Sequence, residues 1–170
     1  MENIGWIIFG NACSLLAMGT DSLSSSRKTT KGMLWMQNAS QFIYAVGGVA
    51  LKGYSGVVQN VVCIARNLTV IKGWTNKWLQ WLLVILAVAL GFAFNNLGLI
   101  GVLPIVANLQ YTLLLFKFPN NERLLKISFM ITCLLFAIFS LAIWNFVGVC
   151  TNLVVVVSTI VFLLKSKKKG

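Results

Sequence analysis

Residues 26–73 read SRKTTKGMLWMQNASQFIYAVGGVALKGYSGVVQNVVCIARNLTVIKG, two apolar spans that follow a short basic segment. A turn is predicted at Lys52-Gly53, and the second span opens with GVVQN, from Gly56 to Asn60. The same layout returns near the C-terminus, where a turn is predicted at Trp144-Asn145 and GVCTN opens the last span. Its glycine and asparagine follow those of the first copy at one offset (148 − 56 = 152 − 60 = 92). The sequence therefore predicts a duplicated membrane unit.

Composition sets the class of protein. Hydrophobic residues make up 58% of the chain, charged residues 10%, and the mean hydropathy is +0.86. Soluble domains are roughly 45–50% apolar and 25% charged. A chain of 170 residues exposes too much of its surface to hide this apolar excess in one small core. Lipid is the expected solvent.

The net charge of +11 does not point to nucleic acid. The basic residues form short clusters at the ends of apolar spans, where they set orientation and bind anionic lipid headgroups. A nucleic-acid-binding protein would instead show a basic patch or stripe. We expect the bilayer to be the partner of these charges.

Charge-free runs predict seven membrane helices, because each of the two longest runs is long enough for two spans and a turn. Arg66 lies near the end of one span and is expected to snorkel to the interface. The serines 24–26 are expected in a flexible cytoplasmic loop. The predicted helices lie near residues 4–20, 33–51, 54–71, 78–94, 98–117, 125–141 and 145–164.

With seven spans, all but one of the fourteen lysines and arginines fall on one side, and only Lys52 falls on the other. Because positive loops stay in the cytoplasm, the N-terminus is expected outside and the C-terminus inside. Helices 1–3 and 5–7 then run in the same direction. The predicted fold is all-α, in a 3+1+3 arrangement of parallel repeats about an axis along the membrane normal. Its units are a first triple-helix bundle (1–73), a linker helix (74–96), a second bundle (97–165) and a basic tail (166–170).

The residues Arg27, Gln37, Gln41, Gly53, Gly56, Asn60 and Arg66-Asn67 resemble the YgjV-type family of small bacterial inner-membrane proteins. That family is similar in architecture to the MtN3/PQ-loop group, which includes the SWEET, SemiSWEET and PnuC transporters. The resemblance implies a seven-helix facilitator of the bacterial plasma membrane that holds its solute between the two bundles. It also implies that Asn60 and Asn152 face the pocket. One departure is clear: the PQ motif is missing, since Pro104 is followed by Ile105.

The candidate binding residues are polar side chains within apolar spans, because such groups turn toward partners or a wet cavity. Two readings stay open for each: a solute-binding group, or an amide that joins neighbouring helices. Asn60 and Asn152 form the leading pair. The others are the helix-2 stripe Gln37, Gln41 and Tyr44 and the weaker pair Asn11 and Asn108.

The sequence contains few side chains of the kinds that bind metals or carry out acid–base catalysis. The four cysteines lie in apolar runs without CxxC spacing, and the chain has no histidine, so no metal site, disulfide framework or cofactor is expected. Glu2, Asp21 and Glu122 are the only carboxylates, and all are expected at membrane edges or in loops. Catalytic residues and the usual parts of proton coupling are therefore not expected.

These observations favour a facilitator that moves a small neutral polar solute, sugar-like, nucleoside-like or vitamin-like, by alternating access between the bundles. The alternative is a non-transporting scaffold, assembly factor or sensor subunit. An enzyme is not expected. The apolar helix surfaces are compatible with a monomer or a homo-oligomer.

Overall fold

The computed structural model describes residues 4–74 and 76–167, which form seven α-helices and one 3₁₀ turn. The 3₁₀ turn, Ile100–Val102, leads directly into the fifth helix. The helices are α1 (Ile4–Ser26), α2 (Thr30–Ala50), α3 (Tyr54–Ile71), α4 (Lys77–Ala93), α5 (Leu103–Lys117), α6 (Glu122–Ala142) and α7 (Phe146–Lys167).

Short polar side chains fix where several helices begin. The Thr29 hydroxyl accepts a hydrogen bond from the backbone N–H of Gly32 at the start of α2. Asn76, Asn121 and Asn145 accept in the same way at the starts of α4, α6 and α7, at 2.8–3.0 Å. Such caps satisfy N–H groups that have no partner within the helix.

The turns predicted at Lys52-Gly53 and Trp144-Asn145 are confirmed. In both, the chain reverses through a non-glycine residue with positive φ, 56° at Lys52 and 58° at Trp144. These residues stand at the offset of the repeated GVVQN and GVCTN segments (144 − 52 = 92). Such a backbone conformation is costly for a residue with a Cβ atom. The same unusual turn thus joins α2 to α3 and α6 to α7.

The helices contact one another in a closed order. α2 packs against α1 and α3, and α6 packs against α5 and α7. α1 meets α7, α3 meets α5, and α4 packs against both α3 and α5. The two groups α1–α3 and α5–α7 therefore have their main contacts along two lines, α1 with α7 and α3 with α5.

Three stretches are long and apolar enough to cross a membrane, Ile100–Lys117, Glu122–Ala142 and Phe146–Lys165, and α4 is a shorter apolar helix. The remaining helices carry more polar side chains, which are mostly buried between helices. Their outer surfaces expose large apolar groups such as Trp6, Leu16, Phe42 and Val61. A soluble protein rarely exposes so many large apolar side chains or buries so many polar ones.

Three expectations from the sequence are wrong. The serines 24–26 are helical, and Ser25 is buried with its hydroxyl 3.0 Å from that of Thr159 on α7. Arg66 does not snorkel, since only 2% of its surface is exposed. Asp21 lies inside α1 rather than in a loop, and it is 3% exposed. In each case at least one partner comes from a distant part of the chain, which local composition does not show.

Candidate functional site

A cavity of about 50 Å³, called here the central cavity, lies among α1, α2, α3, α6 and α7. Water needs roughly 10–15 Å³ of such volume, so the central cavity has room for a few water molecules. Phe129, Phe136 and Phe139 from α6 form its apolar wall. Its polar lining consists of Asp21, Gln41, Tyr44, Asn60, Thr132, Ser140, Asn145 and Asn152.

Asn60 on α3 and Asn152 on α7 both line the central cavity and are 5% and 7% exposed. The Asn152 amide donates to the Gly148 carbonyl oxygen one turn earlier, at 2.7 Å, and its own oxygen accepts no hydrogen bond from the residues that the structure describes. Within the described part of the chain, the Asn60 side chain forms no hydrogen bond. An amide in a polar cavity offers two donors and an acceptor to a solute or to water.

Gly56 brings α3 close to α6. A Cβ atom at this position would lie 2.8 Å from Cε1 of Phe139, closer than real Cβ atoms approach. The Phe139 ring therefore packs against the α3 backbone, one turn before Asn60. The glycine sets the width of the central cavity at this level.

Gln41 and Tyr44, one turn apart on α2, line the central cavity beside these asparagines. The Tyr44 hydroxyl lies 3.4 Å from the Thr151 hydroxyl on α7. The Gln41 side-chain oxygen is buried without a hydrogen-bond partner among the described residues. On α2, Tyr44 therefore approaches α7, whereas the Gln41 side-chain oxygen has no partner among the described residues.

Gln37 and Asn108 line a separate space of about 10 Å³, called here the side chamber. Gln41, Phe129, Thr132 and Phe136 line both spaces, so the two adjoin. The Gln37 side-chain oxygen accepts from the Tyr111 hydroxyl at 3.2 Å, but its amide nitrogen is buried and has no hydrogen-bond partner in the described ranges 4–74 and 76–167.

Arg66 is held in the wall of the side chamber by neutral groups. Its Nη1 donates to Asn108 Oδ1 at 2.6 Å and to Thr112 Oγ1 at 2.9 Å, and its Nε and Nη2 donate to Asn67 Oδ1 at 3.0 and 2.8 Å. The guanidinium lies over the Tyr111 ring, 4.7 Å from its centroid. A buried cation with neutral acceptors is uncommon, because desolvating a charge is costly unless it is fully hydrogen-bonded.

The bonds of Arg66 continue through other amides. Asn67 donates to Asn38 on α2 at 2.9 Å, and Asn108 donates to Gln59 at 2.6 Å. Gln59 in turn donates to the Ala87 carbonyl oxygen on α4 at 2.7 Å. This set, called here the Arg66 network, links α2, α3, α4 and α5.

A family model for bacterial inner-membrane proteins, Imp-YgjV, matches residues 8–169. The chain belongs to the Imp-YgjV family. It is a bacterial inner-membrane protein, and the three long apolar helices agree with that location. Comparisons with curated proteins and with solved structures find no match.

In this Imp-YgjV protein, Asn11 stands apart from the other candidate residues. Its amide donates to the carbonyl oxygens of Ile7 and Trp144 at 2.8 and 3.2 Å, and its oxygen accepts from the Val147 N–H at 2.8 Å. Asn11 therefore joins α1 to the α6–α7 turn, and it does not line the central cavity. The described residues contain no group of three or more His, Cys, Asp or Glu that could hold a metal ion.

Sequence reasoning missed Asp21 and Arg66 as members of the site. The signal for Arg66 was an arginine followed by an asparagine inside an apolar span, and membrane ionisable residues merit attention on that ground alone. The signal for Asp21 was weaker, because a serine-rich segment that resembles a loop follows it.

Proposed function

We propose that this protein is a membrane facilitator that moves a small, neutral, polar solute across the bacterial inner membrane. The solute, sugar-like, nucleoside-like or vitamin-like, would bind in the central cavity between two three-helix bundles, α1–α3 and α5–α7. The observation that carries the proposal is that Asn60 and Asn152, at matching places in the two sequence repeats, line one cavity.

Further features support two equivalent bundles. The α2–α3 and α6–α7 turns share a positive-φ residue at the repeat offset. A two-fold axis that exchanged α1 with α5 and α3 with α7 would convert the α1–α7 contact into the α5–α3 contact, and both contacts are present. The apolar outer surfaces of α1, α2 and α3 fit contact with lipid. We infer seven spans in a 3+1+3 order, with α4 as the linker.

The charge distribution supports an orientation with the N-terminus outside and the C-terminus in the cytoplasm. Basic residues at the cytoplasmic helix ends would then meet anionic headgroups. The free volume of about 50 Å³ is too small for a sugar or nucleoside. Solute entry therefore requires the bundles to separate, as alternating access demands. The proposed role is transport, not catalysis.

The test is uptake into proteoliposomes of phosphatidylethanolamine and phosphatidylglycerol, with radiolabelled glucose, uridine and riboflavin as probes. Wild-type protein is expected to speed the entry of at least one probe. Asn60→Ala and Asn152→Ala are expected to abolish that increase, and Asn120→Ala, in the α5–α6 loop, serves as the matched control. Normal uptake by two stable cavity variants would show that the site is wrong.

The Arg66 network favours a second candidate, a non-transporting scaffold, assembly factor or sensor subunit. Its hydrogen bonds fix four helices against one another, as expected for a rigid protein. A fixed protein partner at purification, together with no thermal shift by any probe, would favour this candidate.

A further inference from the structure

Asp21 brings a carboxylate to the central cavity. The residue is 3% exposed, its side chain hydrogen-bonds with Ser40 on α2, and Tyr44 on the same helix lines the same cavity. Among the described residues, no lysine or arginine forms an ion pair with it. Its neighbours are hydroxyl groups, which can act as hydrogen-bond donors or as acceptors.

The Ser40 hydroxyl suits both protonation states of Asp21. Its oxygen lies 2.9 Å from the backbone carbonyl oxygen of Gln37 and within hydrogen-bonding distance of Asp21 Oδ1. A hydroxyl has one hydrogen to donate, and a carbonyl only accepts. With Asp21 ionised, Ser40 donates to the carboxylate. With Asp21 protonated, the acid donates to Ser40, which donates to Gln37.

Tyr44 also has two alternative hydrogen-bond partners, and one of them lies on α7 in the second bundle. The boundary between the two bundles, where α1 and α2 face α7, is called here the seam. Tyr44 lies one turn after Ser40 on α2 and lines the central cavity together with Asp21, and its hydroxyl lies 3.4 Å from the Thr151 hydroxyl on α7. Thr151 in turn donates to the Gly148 carbonyl oxygen at 3.0 Å. An ionised Asp21 attracts the single Tyr44 hydrogen, whereas a protonated Asp21 leaves it free to bond Thr151.

We propose that Asp21 is a proton-binding site whose protonation state sets the hydrogen bond between α2 and α7. The inference rests on the proposed function, in which the two bundles move against each other. The hydrogen bond between Tyr44 and Thr151 joins the bundles, so its dependence on Asp21 couples proton binding to that movement. Uptake of the neutral solute would be accompanied by a proton that enters on Asp21 and leaves to the cytoplasm. This reverses the expectation that the chain lacks the parts for proton coupling.

Titratable groups face Asp21 from two neighbouring helices, α2 and α6. On α2 the titratable neighbour is Tyr44, and on α6 it is Cys133, which also lines the central cavity. The α7 side chains at this seam, Thr151 and Thr159, are hydroxyls that do not titrate. At the cytoplasmic end of α1, the Lys126 ammonium donates to the Arg27 carbonyl oxygen at 3.0 Å.

The first experiment measures proton binding without any solute. Full-length protein in the same vesicles is studied by infrared difference spectroscopy between about pH 5 and about pH 9, on either side of neutrality. The expected result is a protonated-carboxyl band that titrates, is lost in Asp21→Asn and shifts in Tyr44→Phe. Glu122→Gln is the matched control and should keep the band. A wild-type spectrum without it, or a band unchanged in Asp21→Asn, would overturn the proposal.

The second experiment measures the link across the seam. A cysteine pair, Ser25→Cys with Thr159→Cys, reports closure of α1 on α7, because the two hydroxyl oxygens lie 3.0 Å apart. The cross-linking rate of this pair is divided by the rate of the same pair in an Asp21→Asn background. In this ratio the effect of pH on thiol ionisation cancels. The ratio is expected to fall about two- to tenfold from low to high pH, the population shift that one hydrogen bond supplies.

A ratio that is constant with pH would refute the coupling even if the infrared band titrates. The outcomes separate the two proposals, since neither experiment requires a solute. Absent uptake of glucose, uridine and riboflavin would count against the proposed function. An absent carboxyl band counts against the proton site alone.

Discussion

Loss of one neutral acceptor beside Arg66 should destabilise the protein more than loss of the arginine itself. Asn67→Ala removes the oxygen that accepts from both Nε and Nη2 of Arg66, at 3.0 and 2.8 Å. Arg66 is 2% exposed, so its guanidinium would stay buried with unpaired donors. Arg66→Met removes the charge together with its need for acceptors, and its hydrocarbon chain fills much of the same space.

The magnitudes follow from the bonds that are lost. A hydrogen bond to a charged group contributes roughly 1.5–3 kcal/mol, and removing one partner of a buried charge costs roughly 3–5 kcal/mol. We expect Asn67→Ala to lower the free energy of unfolding by roughly 3–5 kcal/mol. Arg66→Met should cost roughly 1–2 kcal/mol, because Asn67 and Asn108 keep their bonds to Asn38 and Gln59.

The assay is reversible unfolding in mixed micelles by titration with a denaturing detergent. The double variant Arg66→Met with Asn67→Ala should be only about 1 kcal/mol less stable than Arg66→Met, since the unpaired charge is gone and only the bond from Asn67 to Asn38 is lost in addition. Asn38→Ala is the control for the other bond of Asn67 and should cost roughly 1 kcal/mol. If Asn67→Ala costs no more than Asn38→Ala, or if the two changes are additive, the buried charge does not depend on Asn67 and the reasoning is wrong.

Three further changes test the turns, the close helix contact and the unpaired amide. Lys52→Gly should raise the free energy of unfolding by roughly 0.5–1 kcal/mol, because glycine adopts positive φ without strain. Unfolding in denaturing detergent measures this change. A loss of stability would show that the backbone at Lys52 is not strained. Gly56→Ala should cost roughly 1–3 kcal/mol through its clash with Phe139, and adding Phe139→Leu should recover part of that loss if the clash is the cause. Gln41→Met should raise the free energy of unfolding by roughly 1 kcal/mol, since it removes a buried unpaired oxygen. The same change should lower uptake of the transported probe. Unchanged uptake would exclude Gln41 from the solute site.

The helices were predictable because lipid leaves the chain few choices. Long charge-free runs must contain turns, and the sequence placed them correctly at Lys52-Gly53 and Trp144-Asn145. The beginnings of α2 and α6 were placed three residues late, because their first turns are polar. The end of α1 was missed, since serines are typical of loops and also of tight helix contacts. Only the partner, Thr159 on α7, distinguishes the two roles.

The charged groups were misjudged for a physical reason. An arginine near the end of an apolar span can extend to the headgroups or bond neutral side chains inside. For Arg66 the deciding acceptors, Asn108 and Thr112, lie 42 and 46 residues away in sequence. For Asp21 the deciding donor, Ser40, lies 19 residues away. Local composition carries no information about such partners, so these positions follow from tertiary packing alone.

Hydrogen bonding separates the candidate residues into two groups that looked alike in sequence. Asn11 and Asn108 use their amides on other helices and turns, so their removal should cost stability first. Asn60 and Gln41 face the central cavity with polar atoms that no described residue satisfies. An unpaired polar atom inside a membrane protein is a free-energy cost that packing alone does not explain. A passing solute or a proton-carrying water chain would explain it, and for this reason the unpaired amides, more than the bonded ones, mark the proposed pathway.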